Sequence, residues 1–227
     1  SRKLSLSSFT LKNYGAVFSK ATAYKPFLVS IVYSALSAFA VAVLVLAACR
    51  MIQKRKDRVS TVLEYSLLIP WLLPTTLIAI GLVTTYNSPR FWMFNKVLTG
   101  TTIIMFLGYM IIKIPFTLRM TKAAFFALDD SLEDAARNLG AKPLYTFFRV
   151  LLPVVLPTVL AIFALNFNGL LGDYDMSVFL YHPLMQPLGV YIKSLTDSQT
   201  NADNSALTFV YAVLMMIISG IVLYLVY

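Results

Sequence analysis

Acids and amides are scarce in this 227-residue chain, so the few that cluster mark where chemistry could sit. Glu133 and Asp134 stand side by side in LEDAARNLG (132–140), followed by Ala135, Ala136 and Gly140. Two carboxylates on a short alanine-rich helix former suit being gripped by another protein. A second group lies in NFNGLLGDYD (166–175), where Asn166, Asn168, Asp173 and Asp175 break an apolar run. Beside Tyr174 these acids suit a cation, and lining a polar opening is one reading. An ordinary helix end entering a polar loop is the other. Covalent chemistry has no visible carrier. No Gly is followed by Lys, so no phosphate loop of the G-x-x-x-x-G-K-[ST] kind can form. The one histidine, His182 in LYHPLMQP, lacks Cys or His company and reads as a polar loop residue rather than a metal ligand. No Ser or Cys has a plausible base partner. Cys49, the one cysteine, lies in an apolar segment and reads as inert. No catalytic or metal residue is therefore assigned.

What must position these groups is a set of apolar helices. Hydrophobic residues make up 59% of the chain and charged residues 13%, and the mean hydropathy is +0.75. Soluble domains have about 45–50% apolar and about 25% charged residues, so the excess points to a membrane protein. The net charge of +9 is read as Lys and Arg retained near a cytoplasmic membrane surface. No basic run is interleaved with groove-reading residues, so a nucleic-acid partner is not expected. The sequence predicts five crossings, about Phe27–Cys49, Leu63–Tyr86, Leu98–Leu118, Val150–Phe167 and Leu207–Tyr227. Residues 1–26 are expected to be an external or juxtamembrane segment, and 27–227 one all-α transmembrane domain. Starting at SRKLSL and stopping within SGIVLYLVY, the chain is expected to be a piece of a longer polypeptide; its first 26 residues lack a signal-peptide core.

Loop charge sets the expected orientation. RMIQKRKDR (50–58) and residues 119–149, with Arg119, Lys122, Arg137, Lys142 and Arg149, are two crossings apart and share a side. The positive-inside rule makes that side cytoplasmic. Residues 168–206, with Asp173, Asp175, Asp197 and Asp203 against Lys193, then face outward. Residues 1–26 conflict with this, since they carry Arg2, Lys3, Lys12, Lys20 and Lys25 yet should lie outside.

Within the spans, Ser30, Ser34, Ala38 and Ala42 recur every fourth position, a face that admits close helix approach. Pro70 and Pro74 are expected to bend the second span. Lys113 is expected to snorkel toward the cytoplasmic interface rather than to form a buried ion site. Residues 131–149 read as helix, tight turn, helix. Ser131 with Asp134 suggests a shortened capping box, Asp129 and Asp130 suit the positive helix end, Gly140 a left-handed helix end, and Pro143 the first turn of the second helix. YHPLMQPLGVYIKSL (181–195) is expected to include a short external helix.

Asp134-Ala135-Ala136, three residues, Gly140, nine residues, then Val150-x-Leu152-Pro153 resembles the EAA loop of ABC importer permeases. That loop reads Glu-Ala-Ala, three residues, Gly, nine residues, Ile-x-Leu-Pro. The departures are Asp for Glu at 134 and Val for Ile at 150, with Glu133 just ahead as an alternative acid. IPWLLPTTLIAIGL (69–82) and residues 112–141 are similar to the second and third core helices of these permeases. The resemblance covers roughly residues 27–227. FTLKNYGAVF (9–18) and the layout look most like the ferric-iron, polyamine and thiamine branch, whose iron members fuse two such halves.

This resemblance implies a five-helix permease core in a bacterial inner membrane, with cytoplasmic coupling helices and no ATPase site of its own. ATP and Mg would be bound by a partner ATPase dimer. A solute-binding protein would deliver ferric iron or another cation, and a second permease half, identical, homologous or fused, would complete the pore. Glu133 or Asp134 would pair with an ATPase Arg or Lys, and Ala135 and Ala136 would permit close approach. Gly140 would set the angle of the lever that precedes Leu152 and Pro153. The alternative is a gradient-driven transporter or channel subunit, which would show a charged relay in mid-membrane, where Lys113 alone comes near.

Overall fold

The computed structural model describes residues 12–55, 57–89, 91, 95–129, 131–197 and 202–226. Expectations placed on residues 1–11, on Asp130 and on the side chain of Asp203 lie outside these residues. The described helices are α1 (Lys12–Ser19), α2 (Ala21–Arg55), α3 (Arg58–Leu68), α4 (Thr75–Tyr86), α5 (Thr102–Phe126), α6 (Ser131–Asn138), α7 (Pro143–Thr146), α8 (Leu152–Leu171), α9 (Ser177–Leu180), α10 (Leu188–Asp197) and α11 (Ala202–Val226). The protein is all-α, as its apolar composition demands: in lipid a helix satisfies its own backbone hydrogen bonds.

Among the described residues, four helical runs are long and apolar enough to cross a bilayer: Ala21–Arg55, Thr102–Phe126, Pro143–Leu171 and Ser205–Val226. A fifth crossing is broken, with Arg58–Leu72 and Thr75–Tyr86 meeting at a 106° bend. The sequence predicts a bend at Pro70 and Pro74, and the structure shows a break. Leu73, held extended ahead of Pro74, ends a 3-10 turn (Ile69–Leu72), and Pro74 supplies no N–H to carry the helix on. The broken pair still runs from one side of the molecule to the other. Glu64 on α3 pairs with Lys122 near the end of α5, whereas the Tyr86 carbonyl accepts the Leu98 N–H just before α5 begins.

Two other spans are longer than the hydropathy pattern shows. α2 continues through Arg50 to Arg55, so most of the basic loop 50–58 is helix. The run beginning at Pro143 is continuous with α8 through a π turn at Phe147–Leu151. The expected second helix of the loop pair is thus the foot of a membrane span, and α6 alone stands free as a separate helix.

Helices α2, α5 and α8 form the central packing. The face Ser30, Ser34, Ala38 and Ala42 is buried throughout, with Ala38 against Phe167 and Leu171. Without bulky side chains there, α2 and α8 pack close together, and contacts of this kind replace the hydrophobic drive that lipid removes. Toward α6 the core is Val45, Cys49, Leu118, Phe125, Leu151 and Val155. Toward the opposite end it is Tyr33, Ala79, Met105, Tyr109, Leu170 and Met176. α1 lies at that opposite end with α10 and α11, where Val17, Leu188 and Tyr211 are packed together. The Tyr211 hydroxyl donates to the Ala23 carbonyl at 2.8 Å and fastens α11 to the start of α2.

Candidate functional site

Two local devices build α6. The Ser131 N–H donates to Oδ1 of Asp129 at 2.9 Å, so Asp129 rather than a Ser131–Asp134 box serves the helix start. That hydrogen bond holds the Asp129 carboxyl below its ordinary value. A true capping box occurs elsewhere, at Asp57 and Ser60 ahead of α3. At its other end, α6 stops at Gly140, which has φ +78. The Gly140 N–H bonds to the Arg137 carbonyl and the Ala141 N–H to the Ala136 carbonyl, the paired bonds of a Schellman motif. Lys142 is extended and Pro143 opens α7.

The adjacent carboxylates have divided their work. Glu133 turns inward, accepting a hydrogen bond from Arg50 at 2.8 Å, with Lys54 and Arg137 both at 3.9 Å. Its side chain is 24% exposed. The Arg50 guanidinium holds the Glu133 carboxyl below its ordinary value, against partial burial that pushes it upward. Asp134 turns outward, 65% exposed, with Arg137 at 3.5 Å. Glu133 therefore ties α6 to the end of α2, and Asp134 is the acid a second molecule can reach. Arg50 also donates to Gln53 and lies 6.0 Å from the centre of the Phe147 ring, so the tie extends to the foot of α8.

Ala136 is buried against the chain's own body, while Ala135 is exposed. Leu132, Ala135, Leu139, Gly140 and Tyr145 line a concavity of about 700 Å³ on the outer face of this corner. Leu139 is 89% exposed at its rim. Leu152 packs on the core, and Pro153 is exposed one residue further on. The π turn has a local cause. Pro153 has no N–H for the Arg149 carbonyl, and its ring crowds that carbonyl; the Leu152 N–H reaches back to Phe147 instead.

The second group of candidates is not brought together as one site. Asn166 is fully buried and its Nδ2 donates to Thr117 Oγ1 at 2.7 Å, a bond between α8 and α5; among the described residues its Oδ1 has no partner. Asn168 is half-buried, and its Oδ1 likewise has no partner among the described residues. Asp173 accepts the Ser177 N–H at 3.0 Å and so caps α9. Asp175 is exposed. His182 accepts the Leu184 N–H within a turn, and the expected external helix is α10.

Lys113 does not snorkel toward α6. Its Nζ lies against Gly169, where a Cβ would stand 2.7 Å away, and it feels the charge of Asp173 beyond the end of α8. A glycine on α8 leaves the room for it. Helix side chains lean toward their own N-terminus, which for α5 is the end away from α6. Sequence reasoning counted Arg50 only as a loop charge. Its partner lies 83 residues away in the chain, and no local pattern marks such a pair.

These features define an all-α permease core with a helix presented at one face. Residues 40–227 match the family described as "Binding-protein-dependent transport system inner membrane component", and the chain belongs to that family. It is 33% identical to the probable ABC transporter permease protein y4fN of Sinorhizobium fredii, over 94% of this chain and 37% of that protein. It is 26% identical to the putative 2-aminoethylphosphonate transport system permease protein PhnV of Salmonella paratyphi A, over 66% of this chain and 55% of that protein. With the probable sulfate transport system permease protein cysT of Prototheca wickerhamii it shares 30% identity, over 66% and 60%. The chain thus spans less than two thirds of the length of these curated relatives. Among solved structures, a bacterial ABC transporter that imports the acidic polysaccharide alginate superposes with TM-score 0.80 at 16% identity, over 96% of this chain and 83% of that one. The MetNI methionine ABC transporter gives TM-score 0.67 at 16% identity, over 96% and 100%. At such identities the likeness is one of fold.

Proposed function

We propose that this chain is a pore-forming half of an ATP-binding-cassette importer, with α6 as the element a separate ATPase subunit grips. The observation that carries this reading is the division of labour between Glu133 and Asp134. One acid fixes α6 to α2 and the foot of α8, and the other is presented outward beside an apolar concavity. A push on α6 is then transmitted to two membrane helices rather than absorbed by a loose loop. ATP and Mg belong to the partner, whose closure moves the corner formed by α6, Gly140 and Pro143. A second permease half, identical, homologous or fused, completes the route. Support for a fused arrangement comes from y4fN, of which this chain matches 37%.

The side bearing α6 is proposed to be cytoplasmic in a bacterial inner membrane, since Arg50, Lys54, Arg55 and Arg58 lie there. A cysteine at Asp134 should then react with an impermeant thiol reagent only from the cytoplasmic side, and one at Asp175 only from outside.

For the solute, we favour a small anion over ferric iron or a polyamine. The Lys113 Nζ stands between α5 and α8 within the membrane span, and the one acid whose charge reaches it, Asp173, is held by the start of α9, so these residues form no cluster of free acids for a cation. Relatives named for 2-aminoethylphosphonate and sulfate agree with an anionic cargo.

Co-expression with candidate ATPase subunits and a solute-binding protein tests the whole reading. Copurification and solute-stimulated hydrolysis are expected for the wild type. Gly140→Val should abolish stimulation, because a β-branched residue at φ +78 costs roughly 1 kcal/mol or more. Wild type that binds no ATPase, or a valine variant that keeps full coupling, would sink the lever account. Stimulation by ferric iron and not by sulfate or a phosphonate would reverse the solute assignment.

A further inference from the structure

A groove of about 690 Å³ runs between the second half of α2 and the foot of α8, apart from the exposed face of α6. Its floor is apolar, with Val43, Leu46, Ala47, Phe148 and Leu152 among its lining. Its other end is basic: Arg50, Lys54 and Arg55 stand together on the last turns of α2. We propose that this groove seats an anionic phospholipid, with an acyl chain along the floor and the headgroup phosphate at Lys54 and Arg55.

Two observations converge on that occupant. The groove is amphiphilic along its length, and its polarity changes where α2 passes from an apolar to a basic sequence. That transition is where a bilayer changes from hydrocarbon to phosphate, so tail and head meet matching surfaces without distortion of the helix. Among the described residues the cations also outnumber the acids that reach them, Glu133 and Asp57. Arg50 is already committed to Glu133, Gln53 and the Phe147 ring. Lys54 stands 3.9 Å from Glu133 with 42% of its side chain exposed, and Arg55 is exposed. A packed apolar helix in this groove would cover the floor and leave that charge uncompensated. A phosphodiester supplies the missing negative charge, and basic pockets between transmembrane helices on the cytoplasmic side hold lipid headgroups in this way.

The site also adjoins the tie that positions α6, since Lys54 faces both Glu133 and the groove. The inference rests on the membrane placement of α2 and α8 and stands whether or not α6 meets an ATPase.

The test uses the full-length protein, with whatever partner subunits copurify, in nanodiscs of phosphatidylcholine with or without phosphatidylglycerol, with retained lipid counted by native mass spectrometry. Phosphatidylglycerol should be retained in preference to phosphatidylcholine. Lys54→Gln with Arg55→Gln should weaken that retention by about 30-fold, the effect of two surface cations. Lys54→Arg with Arg55→Lys should keep it. Ala47→Trp, which fills the floor and leaves the charges in place, should expel the lipid from a complex that still elutes as one species. Equal retention in the glutamine pair and the wild type overturns the proposal. So does a cysteine at Ala47 that crosslinks to a second permease helix and takes no label from a photoreactive phosphatidylglycerol.

Discussion

At the scale of single residues, the adjacent acids of α6 are opposites. A hydrogen bond to a charged partner is worth more than a neutral one, but Glu133 is partly exposed and solvent screens its ion pairs. Glu133→Gln should therefore cost about 1 kcal/mol, read as earlier hydrogen exchange of α6 and a lower unfolding midpoint. Asp134→Asn should change stability by less than about 0.5 kcal/mol, because its side chain is exposed, and should instead weaken copurification with the ATPase. Glu133 also makes the tie depend on pH. Its folded pKa is depressed, so its contribution is full above the ordinary carboxyl range and is lost as pH falls through the folded value. Protection of the α6 amides, taken relative to the intrinsic exchange rate at each pH, should accordingly be flat through neutral pH and fall on acidification, and Glu133→Gln should abolish that fall.

At the scale of elements, a missing N–H does more than any side chain. Pro153 places a π turn between the foot that carries α6 and the body of α8. Pro153→Ala permits regular helix, which would turn the foot relative to α8 by about 100° per residue absorbed. Arg50 and Glu133 should then fail to meet, seen as loss of a crosslink between cysteines placed at Gln53 and Arg137, in a protein that still folds. The opposite case is Gly189 on α10. A Cβ there would clash with the Asp173 carbonyl oxygen, which is backbone and cannot rotate aside. Gly189→Ala should cost about 1–3 kcal/mol in thermal unfolding. Gly81→Ala on α4 meets nothing within 4 Å and should be neutral or stabilising by up to about 1 kcal/mol.

At the scale of the whole molecule, α2, α5 and α8 are the shared wall, and the two ends differ in kind. One end gathers Arg50, Glu133 and Lys122 into ion pairs that hold helix feet. The other closes over Tyr109, Met176, Leu188 and Tyr211 with hydroxyl and backbone hydrogen bonds such as that from the Leu188 N–H to Ser30 Oγ. α11 buries little of its surface within this chain, and Phe209, Met216, Tyr224 and Leu225 are exposed on it. In a bilayer such a face meets lipid or another apolar helix.

The sequence determined what hydrogen bonding and hydrophobicity decide locally. Apolar runs marked which segments are long apolar helices, Gly140 the stop of α6, and Pro143 the start of the next helix. Motif spacing from Asp134 to Pro153 gave the family. The tertiary structure decided everything that depends on which distant groups meet. It chose Asp129 over Ser131 as the cap, sent Lys113 toward Gly169 rather than toward α6, and used Asp173 to cap α9. Above all it paired Glu133 with Arg50 and left Asp134 outward. Adjacent residues on a helix point about 100° apart, so which of two neighbouring acids turns inward depends on the docking of α6 against α2.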